Sequence, residues 1–297
     1  TRVRSSAASD VYKRQIINNY SMKKNKILII IPSRFASTRL PEKPLVKIAG
    51  KEMVLRVAEI ANYVCNKVEG CNYIVATDHE KIVNFCKENN IAVMMTSENC
   101  KSGTERCWDV TTKIAEKPDF IVNLQGDNPL CPPWFIEQLI EAWKNDKEGQ
   151  VFTPSLHLSW EEYDRMKESK KITPYSGTTV EVDKFGYALA FSKAMIPVIR
   201  NEEKVRKILD KSPVRRHIGL YSYTYDALKK YFEVEASPYE LPEGLEQMRF
   251  LHNRIPVKMI DVDYRNRKSM SGVDSPEDIE RAEKIIAEFG EFNLSPE

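Results

Sequence analysis

The sequence has no CxxC pair, no histidines at zinc-ligand spacing and no apolar stretch approaching the roughly 20 residues of a membrane helix. Its six cysteines, Cys65, Cys71, Cys86, Cys100, Cys107 and Cys131, are spread through the first half, and His79, His157, His217 and His252 are equally scattered. These absences argue against a structural zinc site. With no secretory h-region at the start, they also argue against a disulfide framework, so the thiols are expected to be reduced core residues of a cytoplasmic protein. The densest apolar run, Ile27 to Ile31, is too short to cross a bilayer, and no membrane insertion is expected. Charge of one sign is missing too. Lys and Arg total 45 against 43 for Asp and Glu, a formal balance of +2, which excludes a broadly basic nucleic-acid binder and an acidic disordered tail. Any anion site must therefore be local. Neither GxxxxGK[ST] nor GxGxxG occurs, so a P-loop and a dinucleotide fingerprint are excluded.

What is present is an ordinary globular composition. The chain has 297 residues, 42% hydrophobic and 30% charged, the range of one large domain or two small ones, and can bury roughly three quarters of its unfolded surface. Residues 1–21 read as a non-native or disordered leader. DVYKRQ (Asp10 to Gln15) looks like the translation of a common transposase sequencing adaptor, with Met22 as the expected start. Without Arg2, Arg4, Asp10, Lys13 and Arg14 the remainder carries a balance of −1.

From Lys26 to about Asn145, short β-rich runs alternate with amphipathic segments, the mark of βαβ units on a parallel sheet. KILIII (Lys26 to Ile31), YIVATD (Tyr73 to Asp78) and DFIVNLQGD (Asp119 to Asp127) read as buried strands, each ending in a polar or turn-forming cluster where functional residues should sit. Met53, Val57, Ala61 and Val64 keep helical spacing, as do Ile82 with Cys86, Val110 with Ile114, and Phe135, Leu139 and Trp143 after Pro132 and Pro133. In the second half TTVEVD (Thr178 to Asp183) and YALAFSKAMIP (Tyr187 to Pro197) flank a Lys-Phe-Gly turn, which predicts a hairpin, and GLYSYTY and IPVKMIDVD add strands to a mixed sheet. SPEDIERAEKIIAEF (Ser275 to Phe289) has a Ser N-cap, Pro at the first helical position and Asp278 for a capping box. No linker interrupts residues 22–297, so one domain with a hairpin arm at about 150–200 is expected.

Three constellations can carry chemistry. IPSRFASTRLPEKPL (Ile31 to Leu45) places Arg34, Arg39 and Lys43 just past a strand end, with Ser33, Ser37 and Thr38 as hydroxyls. In an open α/β sheet that position suits a polyphosphate better than the alternative of a solvated basic loop. Gln125, Gly126 and Asp127 end the third strand, where one carboxylate can meet a divalent cation. Asp274 reads equally well as its second ligand or as a helix-capping acid. SGTER (Ser102 to Arg106) reads locally as a helix start. His217 and Tyr221 would share a face if RRHIGLY is strand-like, though a lone histidine is ordinarily structural. In GLEQMRFL the inward residues are Leu245, Met248 and Leu251, which leaves Glu246 and Gln247 solvated. Composition and spacing reach a metal-dependent nucleotide enzyme and stop there.

IPSRFASTRLPEKPL, YIVATDHE, KSGTERCWDV, IVNLQGD, GYALAFSKAMIP, RRHIGLYSY, SPYELPEGLEQMR and SGVDSPEDIERA, taken in order, resemble the 3-deoxy-manno-octulosonate cytidylyltransferase family. The resemblance runs from Lys26 to about Glu288. It implies a Rossmann-like nucleotide-diphospho-sugar transferase fold of the α/β class: a mixed, mostly parallel sheet flanked by helices, with a β-hairpin dimerisation arm and hence a homodimer. It implies transfer of CMP from CTP to the anomeric 2-hydroxyl of 3-deoxy-manno-octulosonate (Kdo) for lipopolysaccharide synthesis. By the same resemblance Arg34, Ser37, Arg39 and Lys43 hold the triphosphate, Ser102 helps to seat the nucleotide, and Asp127 and Asp274 bind Mg2+. Arg106, Gln125, His217, Tyr221, Glu246 and Gln247 fall where the family binds the sugar acid. Two positions depart from the pattern: Asn128 stands where QGDEP is usual, and Thr179 where lysine is common. Both were expected near the site, which opens amino-substituted Kdo or a nonulosonic acid as substrates; a non-catalytic nucleotide-binding paralogue is the other class of reading.

Overall fold

The computed structural model describes residues 26–37, 39–146, 148–270 and 272–295. The leader expected over residues 1–21 and the Thr38 hydroxyl lie outside them. By their contacts the residues form two compact units, the first running to Cys131 and resuming at Gly272, the second spanning Pro132 to Ser271. No composition change marks that boundary in the sequence.

In the first unit the three runs read as strands are strands. β1 (Ile27–Pro32) lies parallel to both β4 (Cys71–Thr77) and β6 (Phe120–Asn123), and β5 (Val93–Met95) is parallel to β4. A short antiparallel pair, β2 (Lys47–Ile48) with β3 (Lys51–Glu52), precedes the helix Met53–Lys67. Ile27 through Ile31 are buried without a polar alternate, as a strand covered on both faces requires. Met53, Val57, Ala61 and Val64 are buried along one helix face, and Ile82 with Cys86 along the helix Glu80–Glu88, as their spacing predicts. Each buried Ile, Leu, Val or Met among them contributes about 1.5–3 kcal/mol of apolar burial.

β6 ends at Asn123, short of the run Asp119 to Asp127, although the Leu124 and Gly126 N–H groups still donate to the Ile30 and Pro32 carbonyls. Gly126 permits that approach. A Cβ there would lie 2.6 Å from Ser33 Oγ and collide with the Pro32 carbonyl, so only glycine lets the ends of β1 and β6 come this close. The C-terminal helix Pro276–Phe289 begins with the expected capping box between Ser275 and Asp278. Beyond its end Glu291 pairs at 2.8 Å with Arg56, a buried guanidinium on the helix Met53–Lys67 that also donates to the Ile48 carbonyl. All six cysteines are free, but Cys65 and Cys100 are only partly covered, so they are not core residues as expected. Burial pushes the Cys86 and Cys131 thiols up to about 12.

The second unit is a mixed sheet. β7 (Val151–Ser159) pairs antiparallel with β10 (Lys211–His217) and β11 (Tyr221–Thr224), and parallel with β12 (Val257–Asp261). β8 (Thr178–Val182) joins β10 to β9 (Ala188–Ser192) through the predicted hairpin. Within the span of about 150–200 expected for an arm, β7 pairs with three strands of this sheet. Val180 and Phe191 pair across the hairpin and are buried, while Leu189 is 63% exposed, so only part of the hairpin's apolar surface needs a cover. Among the described residues no helix is long and apolar enough to cross a membrane.

Candidate active site

A cavity of about 280 Å³ opens in the first unit at the carboxyl ends of β1 and β6. Arg34, Ser37, Arg39 and Lys43 line it from the loop after β1, Ser102 and Arg106 from the start of the helix Gly103–Lys113, Gln125 and Asp127 from the turn after β6, and Asp274 from the segment before the C-terminal helix. These are residues separated by up to 240 positions that the sequence reading had put in one site. Lys101 lines the cavity as well and was not singled out. Its position next to SGTER was the available signal.

Lys43 is the electrostatic centre. Its Nζ donates to Asp127 Oδ2 at 2.8 Å and to Asp274 Oδ1 at 2.7 Å, and Arg39 stands 3.3 Å from Asp274 Oδ2. Burial pushes the Asp274 carboxyl up, but the hydrogen bond and charge of Lys43, joined by Arg39, outweigh it and hold the group below the usual carboxylate range. Gly272 makes the approach possible, because a Cβ there would sit 3.0 Å from Asp127 Oδ1. Arg34 is exposed and has no ion pair among the described residues, which leaves its fork available to an anion. Asp274 thus takes both roles left open by its spacing: its backbone N–H enters the Asp278 cap while its carboxylate faces Lys43.

The pair Asp127 and Asp274 presents hard oxygen donors gathered around a positive charge, the chemistry that suits Mg2+. Among the described residues no group of three or more His, Cys, Asp or Glu could hold a metal. Two carboxylates are nonetheless a sufficient protein contribution for a Mg2+ that also takes phosphate and water ligands.

Ser102 caps its helix by accepting from the Glu105 N–H at 3.1 Å, so the local reading of SGTER holds along with its place in the cavity wall. Gly103 leaves room for the Gln125 amide, whose Oε1 a Cβ would meet at 2.8 Å. Arg106, 2% exposed, donates to Asp78 Oδ2 at 2.8 Å and to Thr96 Oγ1 at 2.5 Å. The charge offered on sequence grounds to a substrate carboxylate is therefore already shared with Asp78. That residue closes the strand run YIVATD and was not assigned a role.

The other expected residues cluster in the second unit. His217 and Tyr221 do not share a strand: the chain breaks between β10 and β11, and the rings meet across the connection at 5.3 Å. The Phe191 ring lies 5.2 Å from the imidazole, edge-on. Thr153 Oγ1, which donates to the Leu220 carbonyl, accepts from His217 Nε2 at 2.8 Å, so Nδ1 is the ring's unprotonated nitrogen. Burial and the nearby Lys193 push the imidazole down to about 3, which makes it neutral at physiological pH. Tyr221 is buried beside Glu246, and burial with that charge raises its phenol well above the ordinary value. Gln247 is buried rather than solvated, and Met248 and Leu251 are only partly covered while Phe250 takes the core position. The reason is that a turn precedes the short helix Met248–His252, which breaks the single helical register assumed for GLEQMRFL.

Of the two departures, Asn128 leaves a buried Oδ1 with no hydrogen-bond partner. Thr179 is buried within the hairpin, donating to the Ala194 carbonyl at 2.6 Å and accepting from the Ile196 N–H at 3.1 Å. Its hydroxyl serves the hairpin and not the cavity.

The cytidylyltransferase family model matches residues 28–260. The 3-deoxy-manno-octulosonate cytidylyltransferase of Maricaulis maris is 40% identical over 90% of this chain and 99% of its own length. The mitochondrial enzyme of that name from Arabidopsis thaliana is 34% identical over 89% of this chain and 84% of its own. A solved structure of CMP:2-keto-3-deoxy-manno-octonic acid synthetase complexed with CTP superposes with a TM-score of 0.75 at 31% identity, covering 89% of this chain and 99% of that one. With that similarity along nearly the whole described chain, the chain belongs to the 3-deoxy-manno-octulosonate cytidylyltransferase family.

Proposed function

We propose that residues 22–297 act as a nucleotidyltransferase that moves CMP from CTP to the anomeric 2-hydroxyl of Kdo, giving CMP-Kdo and pyrophosphate for lipopolysaccharide synthesis in the cytoplasm. The observation that carries this reading is the meeting of Lys43, Asp127 and Asp274 beside the exposed Arg34 and Arg39. Arg34, Arg39 and Lys43 bind the triphosphate, helped by Ser37, Ser102 helps to seat the nucleotide, and Gln125 is assigned to the sugar acid. Asp127 and Asp274 hold Mg2+, which when bound neutralises phosphate charge and orients the triphosphate. The sugar's 2-hydroxyl oxygen forms a bond to the α-phosphorus as the bond to the β-phosphate oxygen breaks, and the hydroxyl proton is lost. Positioning and charge neutralisation supply most of the rate in such a transfer.

Arg106 contributes its remaining N–H donors to the sugar carboxylate. Within the second unit His217, neutral, offers Nδ1 as an acceptor for a hydroxyl, and Tyr221, Glu246 and Gln247 are assigned to the sugar acid with it. The exposed part of the hairpin, Leu189 above all, is assigned to a homodimer contact. Amino-substituted Kdo is a second substrate reading, opened by Asn128, which follows the cavity residue Asp127. Pyrophosphate release measured with CTP, UTP, ATP and GTP against a panel of 3-deoxy sugar acids tests both. Release limited to CTP with Kdo supports the first reading, preference for an 8-amino sugar the second, and no sugar-dependent release overturns the assignment of an enzyme.

A further inference from the structure

The residue that aims Lys43 into the cavity has an unusual backbone. Glu42, directly before it, lies in the left-handed region at φ 52° and ψ 33°, which a residue with a side chain adopts at a cost. The Leu45 N–H bonds the Glu42 carbonyl at 2.8 Å, and this tight turn delivers Lys43. The Glu42 carboxylate is held at 2.5 Å by the ammonium of Lys81. Lys81 belongs to the short stretch after β4 that also touches the loop at its other end. Asp78 Oδ1 accepts the Phe35 N–H at 2.9 Å, and the His79 ring stacks on Phe35 at 3.7 Å with an interplanar angle of 9°. His79 Nδ1 accepts the Lys81 N–H at 3.2 Å, which fixes the ring's orientation, and Lys81 Nζ stands 5.5 Å from the centre of the Phe35 ring. The second oxygen of Asp78 holds Arg106.

We propose that the stretch Asp78–Lys81 is a positioning clasp for the reaction, resting on the functional reading above: Lys81 and His79 hold the loop that presents Arg34, Arg39 and Lys43 to the nucleotide, while Asp78 ties that loop to Arg106. A strained residue persists only where its surroundings hold it: Lys81 holds Glu42, next to Lys43, while Asp78 and His79 hold Phe35, next to Arg34, so the segment that carries Arg39 is fixed at both ends. None of the three clasp residues lines the cavity. They act through Lys43 and Arg106, which makes them positioning and not catalytic residues.

The test is a split in Michaelis constants with a second-site rescue. Lys81→Met removes the ion pair but leaves Glu42 strained; because an exposed pair is weak, KM for CTP should rise about fivefold and KM for the sugar acid should stay within about twofold. Adding Glu42→Gly, which adopts the left-handed turn freely, should return KM for CTP to within about twofold of wild type. Asp78→Asn keeps the acceptor for Phe35 but not the charge facing Arg106, so KM for the sugar acid should rise about tenfold with KM for CTP nearly unchanged. Melting curves report folding of each variant; should Asp78→Asn fail to fold, the Lys81 and Glu42 pair alone decides. Unchanged KM for CTP in Lys81→Met, or no rescue by Glu42→Gly, overturns the clasp. A wild type without CTP-dependent pyrophosphate release overturns the functional reading, and this inference with it.

Discussion

Lowering the pH should destabilise the second unit through His217 by an amount the structure fixes. The imidazole is buried beside Phe191 and Tyr221 with Lys193 nearby, and its folded-state value is about 3 against an ordinary 6.5. Between those values the unfolded chain binds a proton that the folded chain refuses, so stability rises with pH through this window and levels off above about 6.5. Linkage for one such group gives about 2 kcal/mol lost between pH 7.5 and pH 5. The figure hardly depends on the folded value, because any value below about 4 leaves the folded imidazole neutral at pH 5. His157 is also held low by burial and Arg215, so wild type alone would report more than one group. The assay is therefore urea unfolding of wild type and His217→Gln at both pH values. Glutamine keeps a donor for Thr153 but does not titrate, and its packing cost cancels in the comparison. The stability gap between the two proteins should narrow by about 2 kcal/mol on acidification. Parallel pH dependences would mean that His217 is solvated or charged in the folded state, and its role as a neutral acceptor would fall with that result.

Asp127→Asn and Asp274→Asn should each lower turnover by roughly a hundredfold or more, most severely at low magnesium, with circular dichroism unchanged; near-normal activity of either at low magnesium would remove it from the ligand pair. Asn128→Glu places a carboxylate beside Asp127 where a buried amide oxygen now lacks a partner. It should shift the relative kcat/KM of Kdo and its amino analogue by about tenfold, and equal effects on all sugars would mean that the position does not select substrate. Light scattering at micromolar concentration should report a dimer, and Leu189→Asp, on the exposed hairpin, should shift it toward monomer. A wild-type monomer would refute the assignment of the arm.

The first unit was legible because its strands are buried on both faces, so Ile27 to Ile31 and Phe120 to Asn123 stand out against their polar surroundings. β7 was not. Pro154, Ser155 and His157 interrupt its apolar pattern, although Pro154 still accepts the Ile218 N–H and pairs with Ile260. β10 was hidden in the same way, since Pro213 falls where its register against β7 shifts. In the site, Arg34, Arg39 and Lys43 could be read from their place after β1, yet nothing local says that Lys43 sits between two carboxylates 84 and 231 residues away. Asp78 lay at a strand end where function was expected, but its partners Phe35 and Arg106 are contacts that only the fold creates. Gln247, read as solvated, is buried. Periodicity identifies a face but not what covers it.

The most direct test of the account is phosphorus NMR of the reaction of this protein with CTP, Mg2+ and Kdo. Transfer predicts pyrophosphate together with one new phosphodiester, CMP joined to the sugar's 2-oxygen, in equal amounts and only when all three components are present. Pyrophosphate with free CMP and no diester, or no change in the CTP resonances, would contradict it.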